Sequence, residues 1–213
     1  MPLKRIWIFL ILSCSLSLKA KKYTIMLSPA GDAEYAGREL VDGFERGFTR
    51  QFAEALKEEL EQCDALRVVM THDSGESATQ EQKANFANRL EVDLYIAINF
   101  YPDEKRNLLA YSYKTALFDV PQDESQLYLY PTTKSYVING EQTKRLAACW
   151  NQLEKYQASM ESVYAGSFPL KELEGIVAPA FVLEMGAQKM ADIHDYVKPV
   201  VQVLLEMAHE TKS

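Results

Sequence analysis

Hydrophobic and polar positions along this chain follow two rhythms: short, nearly unbroken apolar runs, and longer stripes with a period near four. Tyr23-Thr24-Ile25-Met26-Leu27 is an apolar, partly β-branched run that stops at Ser28-Pro29, which predicts a strand ending in a loop. Over residues 45–62, Phe48, Phe52, Leu56 and Leu60 fall four apart, which predicts a helix with one apolar stripe. Leu66 to Thr71 reads as the next strand, His72 to Ser77 as a turn and helix cap, and Ala78 to Leu90 as a helix. Val92 to Phe100 is almost continuously apolar, as expected of a strand covered on both faces, and Pro179 to Gly186 repeats that pattern. Leu108 to Tyr113 alternates like an edge or hairpin strand. Residues 115–139 scatter Phe118, Tyr128, Tyr130 and Tyr136 among polar residues with no clear period. Two further helices are expected, from about Glu141 to Tyr156 and from about Asp195 to His209. Pro199 falls in the first turns of the second, where proline is tolerated. Short apolar strands alternating with helices predict an α/β fold, a three-layer αβα sandwich around a mostly parallel sheet. No linker or repeat interrupts residues 22–210, which are expected to form one domain.

The first twenty residues break this pattern. Lys4 and Arg5 precede the apolar run Ile6 to Leu12, and small residues then lead to Ala20. A short apolar run behind positive charges reads as a secretory signal, too short to span a bilayer comfortably. An uncleaved anchor is the alternative, and Ile11-Leu12-Ser13-Cys14 loosely resembles a lipoprotein signal in which Cys14 is lipidated. Removal of residues 1–20 takes away Lys4, Arg5 and Lys19 and no acids. That leaves 20 basic against 30 acidic residues, and the formal charge falls from −7 to −10. So acidic a chain has no electrostatic footprint for nucleic acid. Contact with a membrane would come only through the uncleaved signal or a lipidated Cys14. Export would allow a disulfide, but Cys63 and Cys149 lie without nearby histidines and make no zinc site.

Several segments, in order and spacing, resemble the zinc-dependent N-acetylmuramoyl-L-alanine amidases, which cut the peptide stem from peptidoglycan sugar. They are Ser28-Pro29-Ala30-Gly31-Asp32, Glu45-Arg46 followed by Ala53, Leu56 and Leu60, Ala87-Asn88 before Asp93 to Asn99, and Pro179 to Gly186. The resemblance implies a zinc-amidase-like sandwich with Glu45 as a metal ligand and Glu184 as the catalytic acid/base. In that family the first segment reads Asp-Pro-Gly-His-Gly-Gly and the strand matching 93–99 ends Ser-Ile-His, both histidines binding zinc. Here Gly31 and Asn99 stand at those places.

A catalytic zinc takes three protein ligands and keeps one position for a water whose pKa it lowers to about 7. A separate glutamate then moves the proton to the leaving amine. The chain's three histidines, His72, His194 and His209, read as surface residues. Asp32, beside the lost histidine, could join Glu45 and Asn99 in an all-oxygen set suited to Mg²⁺, Ca²⁺ or Mn²⁺ rather than zinc. Glu45 also reads as an ordinary first-turn acid favoured by the helix dipole. Glu184 is a carboxylate at the end of an apolar run, costly unless paired or partly solvated. Arg38 could neutralise it or hold an anionic ligand together with Asn99, and the tyrosines between 111 and 136 form either a stacking wall for sugar or peptide, or plain packing.

Three functions remain open at this point. The first is an exported, periplasmic or envelope-associated protein with a degenerate metal site and no cofactor, which binds peptidoglycan or muropeptides or regulates their turnover. The second is a working amidase using Asp32, Glu45 and a divalent metal with Glu184. The third is a structural envelope protein.

Overall fold

A computed structural model of the chain describes residues 21–114, 132–153 and 160–211. The expectations for residues 1–20, and for Phe118, Tyr128 and Tyr130, lie outside the described residues. The strands that carry the fold are β1 (Tyr23–Pro29), β4 (Leu66–Met70), β5 (Leu94–Pro102), β6 (Asn107–Tyr113), β7 (Ser162–Phe168) and β8 (Ala180–Ala187). They form one sheet in the order β4-β1-β5-β8-β6-β7. Neighbours run parallel except β6, which is antiparallel to β8 and parallel to β7. A two-residue-by-two-residue hairpin, β2 (Glu39–Leu40) with β3 (Gly43–Phe44), stands apart from the sheet. The helices are α1 (Glu45–Leu60), α2 (Gln80–Leu90), α3 (Gly140–Trp150) and α4 (His194–Glu210).

The alternation of side chains along each strand divides the core in two. Ile25, Leu27, Ile96, Ile98, Phe100, Leu183 and Met185 face α1, α3 and α4. Met26, Tyr95, Ala97 and Val182 face the other way, onto Ala84 and Ala87 of α2 and onto Leu173 and Ile176. The four-apart stripe of α1 is therefore core: Phe48, Phe52, Leu56 and Leu60 are all fully buried. Phe100 is the centre of that packing, with ring centroids 5.6 Å from Phe52, 6.1 Å from Tyr196 and 6.2 Å from Phe48. α2 is started by a capping box between Thr79 and Gln82 and ended by Glu91 in the left-handed region at φ 50°.

Three expectations are corrected by the fold. Leu108 to Tyr113 is no edge or hairpin strand, because β7 pairs along its outer side. β7 itself carries no strand signal that stands out from its surroundings. As the outermost strand it is mostly exposed or half-buried, so its apolar positions do not alternate cleanly. The helix expected to reach Tyr156 stops at Trp150, whose ring packs edge-on to Phe181 at 5.9 Å.

Two of the segments that carried the resemblance are structural. Asn88 donates from its side chain to the Gly175 carbonyl at 2.8 Å and accepts from the Val177 amide at 3.0 Å, tying α2 to the approach to β8. Asp93 accepts from the Thr24 amide at 2.8 Å and so fixes the start of β5 against β1.

Candidate functional site

Asn99 and Glu184 are register partners on β5 and β8, on the strand face opposite Phe100 and Met185. They lie beyond Ala97 and Val182, which are the last residues there packed into the apolar layer. This leaves two polar side chains on a strand face at the carboxyl ends of parallel strands, where open α/β sheets place their sites. Glu184 is 19% exposed and is held by three hydrogen bonds. Asn99 donates to one oxygen at 2.9 Å, and Arg38 donates to the two oxygens at 2.7 and 3.2 Å. The same Arg38 nitrogen that makes the 2.7 Å bond also donates to the Phe100 carbonyl at 3.1 Å and lies 3.9 Å from Glu45.

Glu45 reaches this point from the first turn of α1, on the other side of the sheet. Its carboxylate is buried, and both oxygens accept backbone hydrogens: Phe100 donates to one and Arg38 to the other, each at 3.0 Å. Burial raises its pKa, and the two amide donors and the Arg38 charge oppose that rise. The loop wraps this carboxylate closely because Gly37 sits at φ +80°, where a Cβ would come within 2.7 Å of the Glu45 Cβ. One guanidinium therefore serves two carboxylates from opposite layers of the sandwich. The Arg38 pKa rises, chiefly through its hydrogen bond to Glu184.

Asp32 does not join this group. One of its carboxylate oxygens accepts from the amides of Glu34 and Tyr35, both at 2.9 Å, closing the turn after β1. Those backbone bonds outweigh desolvation and lower its pKa. It lines a separate groove of about 520 Å³ with Arg46, Arg50 and His72. His72 is not the surface residue expected. It is 9% exposed, with Nδ1 3.0 Å from the Thr71 hydroxyl, and its backbone carbonyl accepts from Arg50 at 3.0 Å. His194 and His209 are exposed, on α4.

The donor set does not fit zinc. Gly31 offers no side chain and adopts φ +75°, and a Cβ there would lie 2.7 Å from the Arg46 Cβ and 3.0 Å from the Tyr35 carbonyl oxygen. Asn99 turns its amide hydrogen to Glu184, Glu45 spends both oxygens on backbone hydrogens, and a fixed cation already stands between the carboxylates. Among the described residues no three His, Cys, Asp or Glu side chains gather in a metal-sized cluster.

The pocket beside the cluster was not legible beforehand, whereas an aromatic wall among the tyrosines between 111 and 136 was one of two open readings. A polar pocket of about 250 Å³ opens beside the cluster, lined by Ser28, Tyr35, Arg38, Asn99, Lys83 of α2 and Glu172 of the helical turn 171–173. Tyr111 packs against Tyr164 and Phe168 of β7 with centroids 6.2 and 5.1 Å apart, and Tyr113 lies 5.2 Å from Tyr136. Tyr111 is the register partner of Val182, two residues before Glu184, which places that aromatic group on the carboxylate's face of the sheet, and burial, then the Glu184 charge, raises its pKa. A basic residue in the first turn of α2 was the available signal for Lys83. Nothing in the local pattern marks Glu172.

The fold and this carboxylate cluster define an amidase-type hydrolase domain with an arginine at its centre. Residues 25–191 match the N-acetylmuramoyl-L-alanine amidases, and the chain belongs to that family. The apo amidase Ami1 of Mycobacterium abscessus superposes with a TM-score of 0.60 at 14% identity, over 86% of this chain and 97% of that one. The amidase of Clostridium difficile 630 gives 0.58 at 14% identity, over 88% and 97%. The catalytic domain of CwlV from Bacillus (Paenibacillus) polymyxa var. colistinus gives 0.57 at 15% identity, over 88% and 97%. Likeness at this identity establishes the α/β sandwich and no more. No curated protein matches the chain by sequence.

Proposed function

We propose that this protein is an exported cell-envelope protein that binds peptidoglycan or its fragments, or regulates their turnover, through an amidase-type domain that does no zinc catalysis. One observation carries the reading: the Arg38 guanidinium lies between Glu45 and Glu184 and supplies the positive charge that a metal would otherwise bring. A metal activates water because it has an open coordination position and lowers the pKa of what it binds. A guanidinium has neither an acceptor orbital nor a proton to exchange near neutral pH, so it neutralises the carboxylates and generates no nucleophile. Glu184, doubly held by Arg38 and by Asn99, serves as a fixed acceptor rather than as a base free to take a proton from water.

The pocket beside the cluster and the aromatic group on β6 and β7 supply the surface for a muropeptide. Its polar groups would meet Asn99 and Arg38, and its sugar faces the Tyr111 cluster. Residues 1–20 act as the export signal and residues 22–210 as the amidase-like domain. Among the described residues no helix is long and apolar enough to cross a membrane.

The test is to incubate the purified protein with peptidoglycan sacculi and with muropeptides, and to measure its zinc content. Co-sedimentation without release of stem peptides, unchanged by chelator, is the expected result. Release of stem peptides that is abolished by chelator and by Glu184→Gln would overturn the reading and restore a metal site built on Asp32 and Glu45.

A further inference from the structure

β7 (Ser162–Phe168) is the outermost strand of the six-stranded sheet, and among the described residues no strand pairs with its outer side. The carbonyls of Gly166 and Phe168 point inward at β6, where they accept from the Ser112 hydroxyl and the Lys114 amide. Successive residues of a strand direct their N–H and C=O groups to opposite sides, so Val163, Ala165 and Ser167 hold theirs outward. An open edge of this kind is normally blunted by a charge, a proline or a bulge. The strand Ser-Val-Tyr-Ala-Gly-Ser-Phe has neither charge nor proline, and it pairs with β6 residue for residue along its whole length.

The outer face is apolar as well. Tyr164 and Phe168 are 53% and 48% exposed, on the face that carries Tyr111. The Tyr164 ring lies across Gly166, 2.7 Å from where a Cβ would stand, so it covers bare backbone rather than filling a core.

This strand is complementary to itself. Turned antiparallel about Ala165, all seven residues find partners. Ala165 meets Ala165 of the second copy and Val163 meets Ser167, so every outward N–H and C=O faces another outward group. On the exposed face Tyr164 stands opposite Gly166, which has no side chain to oppose the ring, and Ser162 stands opposite Phe168. No like charges are brought together along the strand.

We propose that β7 is a homodimer interface, in which a second copy of this chain adds its own β7 antiparallel about a two-fold axis through Ala165. Two six-stranded sheets are then joined edge to edge. The axis runs normal to the sheet, so the Tyr111, Tyr164 and Phe168 rings of both copies lie on one side and form a single aromatic floor. A contact of this length belongs to the small class of interfaces, and the dimer is expected to be reversible at roughly micromolar concentration. The inference does not rest on the proposed function, since it requires neither muropeptide binding nor an inactive site.

Sedimentation of the full chain over about 1–100 μM tests the assembly. The mass is expected to rise from 24.2 kDa toward twice that value. Tyr164→Lys places like charges on both sides of the axis and should weaken the dimer about tenfold or more. Ala165→Pro removes an outward donor and no inward one, and should weaken it to a similar degree. Cross-linking reads the register without a weakened variant. In chains carrying Cys14→Ser and Cys63→Ser, a mixture of Ser162→Cys and Phe168→Cys chains should form disulfide-linked heterodimers. Those positions would face each other with Cα atoms about 4.5 Å apart, within disulfide reach. Slow amide exchange at Val163, Ala165 and Ser167 that appears only as concentration rises supports the same interface. A monomer at every concentration with no cross-link in the mixture would overturn it. So would a dimer that keeps its affinity in folded Tyr164→Lys and gives no mixed cross-link. Slow exchange at those three amides in a monomeric sample would give the edge to another segment of the same chain, and the dimer would be lost.

Discussion

Arg38 and Glu184, 146 residues apart in the chain, are joined by two hydrogen bonds of 2.7 and 3.2 Å. The pair bridges the loop after β1 and the end of β8, and Arg38 extends the bridge to Glu45 on the opposite layer at 3.9 Å. The site therefore holds together around an internal cation, and its properties should respond to that cation first.

Replacing Arg38 with alanine leaves Glu45 and Glu184 facing one another without a positive charge. Arg38 is 43% exposed, which weakens the pair relative to a fully buried one. A loss of about 1–3 kcal/mol in urea unfolding is expected. Arg38→Lys should recover only part of it, because a lysine cannot span both Glu184 oxygens. A double-mutant cycle with Glu184→Gln isolates the coupling, and a coupling energy near zero would show that the bridge contributes nothing to folding.

Restoring the family's histidine at the first position should fail. Gly31 sits at φ +75° with Arg46 and the Tyr35 carbonyl already within 3.0 Å of where a Cβ would be. Gly31→Ala is expected to cost about 1–3 kcal/mol through backbone strain and crowding, and Gly31→His at least as much. Thermal melts of the two variants check this. Zinc content should stay well below one ion per chain in Gly31→His combined with Asn99→His.

His72 makes stability depend on pH in a defined direction. Burial lowers its pKa below the ordinary 6.5, helped by the charges of Lys83 and Arg50. Above pH 6.5 the ring is neutral in folded and unfolded chains alike, and its contribution is complete. As pH falls below 6.5 the unfolded chain takes up the proton first, so stability drops until the folded pKa is passed. The slope from this one group is at most about 1.4 kcal/mol per pH unit. Glu45, whose pKa is raised, works in the opposite sense: its contribution is full below the carboxylate's ordinary 4.5 and declines as pH rises. Urea midpoints between pH 7.5 and 5 should therefore be compared with those of His72→Gln, which keeps Glu45. The variant is expected to lose most of the drop below pH 6.5.

Export has its own readout. Lys4 and Arg5 ahead of the apolar run 6–12 give the expectation that protein from the native envelope lacks residues 1 to about 20. Intact-mass measurement decides among three outcomes: a shortened chain, a full-length anchored chain, or a diacylglyceryl-sized addition at Cys14.

The local pattern by itself determined the layers of this protein. Apolar runs at 23–27, 66–71, 92–100 and 180–183 and the four-apart stripe from Phe48 to Leu60 are each long enough to outweigh local propensity, and each became the strand or helix expected. It also marked Glu184, because a carboxylate at the end of an apolar run stands out by its cost; Glu45 and Asn99 were picked out only by the family resemblance, and Arg38 only as a partner for Glu184. Tertiary structure decided what those residues do. Whether Asp32 joins Glu45 or closes its own turn depends on a φ of +75° at Gly31 and on Arg46, fourteen residues beyond Asp32, which donates to the Asp32 carbonyl at 2.8 Å. That β6 lies inside the sheet was set by β7, whose half-exposed sequence has no strong period. The burial of His72 and the meeting of Lys83 and Glu172 at one pocket arise between elements far apart in the chain. Periodicity reports which side of an element is buried, a one-body property of each residue and its near neighbours. Pairing of charges across a site is a two-body property, settled only when separate segments are brought to one edge of the sheet.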